Sequence, residues 1–294
     1  MAPGDAQVLG LIAGEGEFPI LVARGARAAG LRVACASLGG FARPDLAELV
    51  DVNASVGLMR LGQWIRVLKR QGVTRAIMVG RVPKKTMYAR GRVGRWLQFV
   101  PDLRTISLYV RRLRHDKRDH KLLEAVADEL QAAGITLIDS TTYTKDHLAT
   151  VGLMTRREPS ERQREDARFG FELCKTISRL DVGQSLALID KDVIAVEAME
   201  GTNAMIRRAG EWCRTKGWTF VKVSNARQDM RVDVPTVGVQ TIELLRDGGC
   251  GCIALEVGQV MMIDKPKVLA AAERAGIAVI GFEAIANVAN GRGL

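Results

Sequence analysis

Apolar residues along the chain fall into short runs separated by glycines and by amphipathic stretches, and that alternation predicts the elements. Residues Val8 to Ala13 (VLGLIA) read as a buried strand. The turn Gly14-Glu15-Gly16 closes it, and a helix follows with Pro19 in its first turn and Gly30 beyond its end. Leu31 to Leu38 predicts a second strand, Trp64 to Arg70 a short amphipathic helix closed by Gly72, and Thr74 to Val82 a further strand. Helices are expected over Val93 to Leu113 and Asp119 to Ala133, with a strand over Ile135 to Asp139 after Gly134. Strands alternating with helices indicate an α/β unit built on a parallel sheet.

The polar residues Thr141 to Lys145 and the charged run Arg156 to Arg168 frame a boundary, placed near residue 145. The predicted fold class is therefore α/β in two parts: residues 1–145 with a parallel sheet, and residues 146–294 with a mixed one. The second part is expected to begin with a helix from Phe169 to Leu180, broken at Gly183-Gln184. Ser185 to Ile189 and Val193 to Ala198 flank Asp190-Lys191-Asp192, the pattern of a hairpin turn. A helix over Ala204 to Lys216, a strand over Trp218 to Val223 and a helix over Val237 to Leu245 come next. Strands over Ile253 to Leu255 and Val260 to Ile263, a helix over Pro266 to Ala275 and a strand over Ile277 to Ile280 complete the set.

Composition adds bounds. The 294 residues are 47% hydrophobic and 26% charged, as in a soluble globular chain with room for two cores. No apolar run approaches the roughly 18–20 residues that a membrane span requires. The opening MAPGDAQVLG has no basic region ahead of its apolar run, so a cleaved leader is not expected. Five cysteines, of which only Cys250 and Cys252 are close, fit reduced thiols better than a disulfide framework or a zinc site. Charge changes the picture more. Residues 81–121 hold thirteen Lys/Arg against three Asp/Glu, which is the whole excess of +10; the remainder balances at zero. A stretch this basic suits an anionic partner: nucleic acid, a phosphorylated substrate or an acidic membrane surface.

Candidate chemistry concentrates in two stretches. Residues 227–243 read RQDMRVDVPTVGVQTIE, with Asp229 and Asp233 four apart, Arg231 between them, and Pro235, Thr236, Val237 and Gly238 opening what reads as a helix. Carboxylates beside a helix N-terminus can hold a hard cation, and the unpaired N–H groups can hold phosphate. Residues 196–208 read VEAMEGTNAMIRR, joining Glu197 and Glu200 to a Gly201-Thr202 turn and to Arg207-Arg208. At the start of the chain, Gly14 and Gly16 resemble part of a dinucleotide fingerprint. Pro19 stands where its third glycine belongs, which disfavours a redox dinucleotide but leaves a phosphate or nucleotide seat. The histidines His115, His120 and His147 form no ligand pair, and no G-x-S-x-G elbow is present. Carboxylates and arginines must then carry any chemistry, a combination suited to metal-assisted work on phosphates.

Taken together, GLIAGEGEFP, the Gly80-Arg81-Val82 turn, LDVGQS (180–185), AVEAMEGTNAMIRR and QDMRVDVPTVGVQTIE resemble the LpxI family over nearly the whole chain. Its members are UDP-2,3-diacylglucosamine pyrophosphatases of lipid A biosynthesis. The resemblance implies an N-terminal Rossmann-like domain and a C-terminal catalytic domain. It implies Mg²⁺-dependent hydrolysis, with Mn²⁺ as a substitute, of the diphosphate bond of an acylated UDP-sugar, giving UMP and 2,3-diacylglucosamine 1-phosphate. The implied location is cytoplasmic, peripheral at the inner face of the cytoplasmic membrane.

By the same resemblance, Asp233 matches the acid on which catalysis in the family depends, with Gln228 and Arg231 beside it. Thr236 and Gly238 fall in that motif, and Glu197, Glu200, Gly201, Thr202 and Arg207 in the other. The resemblance casts Asp233, Glu197 and Glu200 as metal ligands. Gly14, Gly16, Gly201, Thr202, Arg207, Thr236 and Gly238 are cast as substrate-binding. Asn203 stands where the family has Asp, and Asp119 falls in a region of paired acids. The expected partners are the lipid substrate and an anionic membrane surface, with no nucleic acid, and a homodimer is left open. The alternative from another class is a nucleic-acid-binding protein using residues 81–121, although that segment matches no known module.

Overall fold

The structure, a computed structural model, describes residues 7–82, 100–113, 119–213, 215–225, 229–231 and 234–283. These form two compact units: residues 7–144 together with 229–231, and residues 145–225 together with 234–283. The chain passes from the first unit to the second between residues 144 and 145, and residues 229–231 group with the first.

In the first unit, strands β1 (Val8–Ala13), β2 (Arg32–Leu38), β3 (Val52–Val56), β4 (Arg75–Val79) and β5 (Thr136–Leu137) form a sheet in the order β3-β2-β1-β4-β5. Every pairing in it is parallel. These are the first five places of the Rossmann order 3-2-1-4-5-6. The central β1 is buried from Leu9 onward, as a parallel strand covered on both faces must be, which is why it reads as a continuous apolar run. Helices α1 (Phe18–Ala28) and α2 (Leu61–Arg70) supply cover, α2 through Leu61, Trp64, Ile65 and Leu68. The edge strand β3 has no counterpart in the expected elements. Its sequence VNASV alternates polar residues across a half-exposed edge and lacks an apolar run.

One helix over Val93 to Leu113 is not what the structure shows over its described part. A new helix, α3 (Leu103–Leu108), begins after Pro101, capped by Asp102, whose carboxylate accepts the Thr105 N–H at 2.9 Å. It continues as a π-turn over Tyr109–Leu113. Residues 93–99 lie outside the described residues. Helix α4 (Asp119–Ala132) then runs to Gly134, which takes φ +79.

The second unit is organised on a mixed sheet of β6 (Gly152–Leu153), β7 (Ser185–Ile189), β8 (Asp192–Val196), β9 (Trp218–Lys222), β11 (Cys250–Glu256) and β13 (Ala278–Phe282). Their order is β6-β13-β11-β9-β7-β8. The strands β9, β11 and β13 are parallel, and β7 is antiparallel to both neighbours. Helices α6 (Thr202–Trp212), α7 (Val239–Asp247) and α8 (Lys265–Ala275) bury Met205, Ile242, Leu245 and Val268 against one face. Helix α5 (Glu161–Arg179) buries Phe171 and Cys174 against the other.

The β7–β8 connection is the expected tight turn. Asp190 and Lys191 both take positive φ, 53° and 64°, as a type I′ turn requires. The buried Asp166 carboxylate accepts both their N–H groups, at 3.1 and 2.7 Å. Helix α5 begins eight residues before the expected Phe169. Ser160 and Gln163 form a reciprocal capping box at its start, so the charged run is the first half of a helix rather than a boundary. Thr236 and Val237 likewise do not open a helix. They are strand β10, paired in parallel with β12 (Met261–Met262), and α7 starts at Val239.

Candidate functional site

Two of the sequence motifs meet at one edge of the mixed sheet, LDVGQS and AVEAMEGTNAMIRR. Strands β9 and β11 end there at Lys222 and Glu256. The antiparallel β7 begins there at Ser185, directly opposite Lys222, and β8 ends there at Val196. In open α/β sheets this edge, outside the carboxyl ends of the parallel strands, is where ligands bind. The LDVGQS motif supplies Ser185, the second motif supplies Glu197 to Thr202, and β9 leads into the third.

Glu197 is 7% exposed, and both its oxygens are engaged. Ser185 donates its hydroxyl to Oε2, and Thr202 donates its own to Oε1 at 2.7 Å. The Thr202 hydroxyl also accepts from Lys222 Nζ at 2.9 Å, and that ammonium lies 3.8 Å from Glu197 Oε2. Lys222 is itself 2% exposed, so this is a desolvated ion pair bridged by a threonine hydroxyl. Gly183 makes room for it: a Cβ there would stand 1.9 Å from the Glu197 carbonyl oxygen. The glycine of LDVGQS is thus required by close backbone packing and does more than end a helix.

The same motif residues set the start of α6. Gly201 takes φ +82, a conformation that L side chains rarely adopt, and its carbonyl accepts the first helical N–H groups. Arg207 is exposed on this helix. Arg208 donates to the Val196 carbonyl at 2.8 Å and to Glu200. Glu200 also accepts the Ala198 N–H, at 3.2 Å, and its carboxyl lies below the ordinary carboxylate range because of backbone hydrogen bonding and Arg208.

These partners bear on metal binding. Glu197 has both oxygens filled and a buried ammonium alongside. Glu200 is held by Arg208 and by the Ala198 N–H. The donor set formed by these two carboxylates does not fit a hard cation, which needs several converging oxygens with free lone pairs. Among the described residues no three His, Cys, Asp or Glu side chains gather as a ligand group.

Catalytic candidates Asp233 and Gln228 lie outside the described residues, as do His115 and Asp116. Arg231 is described and lies in the first unit. It forks onto Asp229, with Nε and a terminal nitrogen 2.6–3.0 Å from the carboxylate oxygens. That pairing lowers the Asp229 pKa and raises that of Arg231. Met230 between them is docked through its carbonyl, which accepts from Ser140 N–H at 3.1 Å and Ser140 Oγ at 2.6 Å. Thr236 is exposed on β10, and Gly238 precedes α7, where its N–H donates to the Thr241 hydroxyl at 3.4 Å.

At the N-terminal turn, Gly14 is required by backbone packing. A Cβ there would meet the Arg81 carbonyl oxygen at 2.7 Å, and the Glu15 and Arg81 backbones exchange hydrogen bonds at 2.8 and 2.9 Å. Gly16 takes φ +113, with open space where a side chain would stand. The five thiols are free, and four are buried. Burial pushes the Cys174 thiol up to about 12, so it is no nucleophile.

Comparison with known proteins decides the family. The LpxI N-terminal domain profile matches residues 8–147, and the LpxI C-terminal domain profile matches residues 150–280. The chain belongs to the LpxI family. A family relative, the UDP-2,3-diacylglucosamine pyrophosphatase LpxI of Caulobacter vibrioides, is 29% identical over 282 residues. The match covers 94% of this chain and 97% of that protein. Membership places the buried Lys222–Glu197 pair in the LpxI C-terminal domain. Sequence reasoning named Glu197 for metal and missed Lys222, Lys175 and Glu256. The available signal was a charged residue ending an otherwise apolar run, as in WTFVK and CIALE.

The two roles considered for Glu197 predict different outcomes for Glu197→Ala. Removing it takes the acceptor from the buried Ser185 hydroxyl and from Thr202 and a carboxylate from the neighbourhood of Lys222, a change that costs about 1–3 kcal/mol. Urea denaturation should show that loss in metal-free buffer. Unchanged stability there would contradict the structural role.

Proposed function

We propose that this protein hydrolyses the diphosphate bond of UDP-2,3-diacylglucosamine, giving UMP and 2,3-diacylglucosamine 1-phosphate, as a step of lipid A synthesis. The observation that carries the reading is the match to the Caulobacter vibrioides enzyme over 94% of this chain and 97% of that protein. The meeting of two motifs at the carboxyl edge of the mixed sheet, through Ser185, Glu197 and Thr202, supports it.

In the reaction, water adds to one phosphorus and the anhydride P–O bond breaks, so one oxygen from water ends on a product phosphate. Asp233 is assigned to orient that water and accept its proton. Exposed Arg207 supplies positive charge toward the phosphoryl oxygens, and Arg231, held by Asp229, presents a guanidinium of fixed orientation. Gly201 and Thr202 are assigned to the substrate through the first turn of α6. The nucleotide is assigned to the Gly14–Gly16 turn, where the open space at Gly16 admits close approach. Mg²⁺ is part of the proposal, and when bound it would neutralise phosphoryl charge. Because Glu197 and Glu200 do not fit as its ligands, Asp233 is the remaining named donor.

A membrane surface is the proposed setting. No helix among the described residues is long and apolar enough to cross a bilayer. On α3 and its π-turn, however, Leu103, Ile106 and Val110 are 86%, 45% and 57% exposed, at i, i+3 and i+7. They lie within the basic stretch that carries the net charge. An apolar ridge set among cations suits the boundary of an anionic leaflet. Nucleic-acid binding gains no support from this ridge, which has the wrong chemistry for phosphate contacts.

Purified protein with UDP-2,3-diacylglucosamine and Mg²⁺ should release UMP, and excess EDTA should stop it. Asp233→Asn should lose at least about a hundredfold in kcat with its melting temperature nearly unchanged. A folded Asp233→Asn enzyme with near-normal turnover would remove Asp233 from the mechanism, and absence of UMP from the wild type would remove the substrate.

Vesicle flotation tests the setting. Binding to anionic vesicles should fall as salt rises from 0.1 to 1 M, where the Debye length drops from about 10 to about 3 Å. Leu103→Ser/Ile106→Ser should weaken it further. Equal binding to neutral and anionic vesicles would contradict the account.

A further inference from the structure

The chain after β9 leads to the residues assigned to chemistry, and its start is gripped with unusual completeness. β9 ends at Lys222, yet Ser224, two residues on, is only 5% exposed, and every polar group it carries is bonded. Its N–H donates to Glu256 Oε2 at 2.7 Å, and its hydroxyl donates to the same oxygen at 2.9 Å. Its carbonyl accepts from Lys175 Nζ at 3.2 Å and from Ser178 Oγ at 3.0 Å. Lys175 closes the ring by donating to both Glu256 oxygens, at 2.8 and 3.1 Å. The next residue, Asn225, donates its side-chain amide to Asp181 Oδ1 at 3.0 Å. Lys175 and Ser178 lie three residues apart on the last turns of α5, and Asp181 lies three further on, just past its end, at φ +61.

A buried lysine–glutamate pair is a poor way to gain stability, because well-packed apolar residues of similar volume do as well or better. An apolar pair could not hold a backbone carbonyl and a backbone N–H of one residue from opposite sides. This pair does. Six residues downstream of Ser224, the Met230 carbonyl is tied by two bonds from Ser140. Each unit thus holds its own described end of this stretch, the second at Ser224-Asn225 and the first at Met230.

We propose that Lys175, Ser178, Asp181 and Glu256 are positioning residues for the hydrolytic reaction. By holding Ser224-Asn225 they set the point from which the segment bearing Gln228, Arg231 and Asp233 departs. This rests on the reading of Asp233 as catalytic. Reacting groups displaced by about 1 Å lose on the order of a hundredfold in rate, so a loosened anchor should appear in turnover before it appears in folding.

The test uses two gentle variants of the full chain. Ser178→Ala removes one of the two donors to the Ser224 carbonyl and leaves no charge unpaired. Asp181→Gly removes the hold on Asn225 while easing the positive φ, and Asp181→Asn keeps both the acceptor and a residue tolerant of that φ. UMP release at saturating substrate should fall about tenfold in Ser178→Ala and in Asp181→Gly, with KM within about twofold, and Asp181→Asn should restore it. Melting temperatures should stay close to wild type, with Asp181→Gly covering the case in which Ser178→Ala does not fold. Turnover within about twofold of wild type in both Ser178→Ala and Asp181→Gly, alongside an inactive Asp233→Asn, would overturn the positioning role and leave the catalytic reading standing. An active Asp233→Asn would overturn both.

Discussion

Charge taken out of water at the carboxyl edge of the mixed sheet is the constraint on which the C-terminal unit depends. Two lysine–glutamate pairs are largely withdrawn from water there, one on each face, with the Lys175 side chain keeping 13% exposure. Lys222 and Glu197 meet on the side covered by α6, through the Thr202 hydroxyl. Lys175 and Glu256 meet on the side covered by α5, through Ser224. A charge in such surroundings must be paired and hydrogen-bonded, or the fold loses several kcal/mol. The pairs therefore dictate the loops around them. Gly183 must lack a side chain so that the Glu197 backbone can approach, and Gly201 must take positive φ so that Thr202 can reach its place at the start of α6.

That constraint also sorts the acids of the family motifs by task. Glu197 is a structural partner of an ammonium and two hydroxyls, and Glu200 holds Arg208 across the start of α6. Each oxygen of both carboxylates already accepts a hydrogen bond from a protein donor, and each carboxylate has a cationic side chain beside it. The proposed chemistry falls to the stretch that follows Ser224 and Asn225, whose polar groups are held by Glu256, Lys175, Ser178 and Asp181. Preorganisation of this kind matters most for phosphoryl chemistry, where placing charge and water supplies most of the rate.

The alternation of apolar runs was enough to read the parallel sheet of the first unit, because β1, β2 and β4 are buried or nearly so along their length. The β7–β8 hairpin was legible from Asp190-Lys191-Asp192, since few residues other than Gly, Asn and Asp tolerate such a turn. β3 was not legible: an edge strand needs only one packed face, and VNASV offers little apolar signal. The start of α5 was hidden by charge, although Ser160 and Gln163 spelled out its cap. Thr236-Val237 carried no cue that it would pair with Met261-Met262, a contact 25 residues away in sequence. For the site, the motifs named Glu197 and Thr202. Lys222 was marked only as the charged end of the apolar run WTFVK, and nothing local marked Lys175, because the seclusion of a lysine follows from which partner the fold brings to it.

Residue-resolved amide exchange on the wild-type protein tests the central claim most directly. Ser224 lies past the end of β9, and an ordinary loop amide at that position would exchange freely. With its N–H held by the buried Glu256 carboxylate, Ser224 should instead be protected as strongly as the central amides of β9 and β11. Exchange at Ser224 as fast as at an exposed loop residue would contradict the claim that the segment departs from a fixed, desolvated anchor.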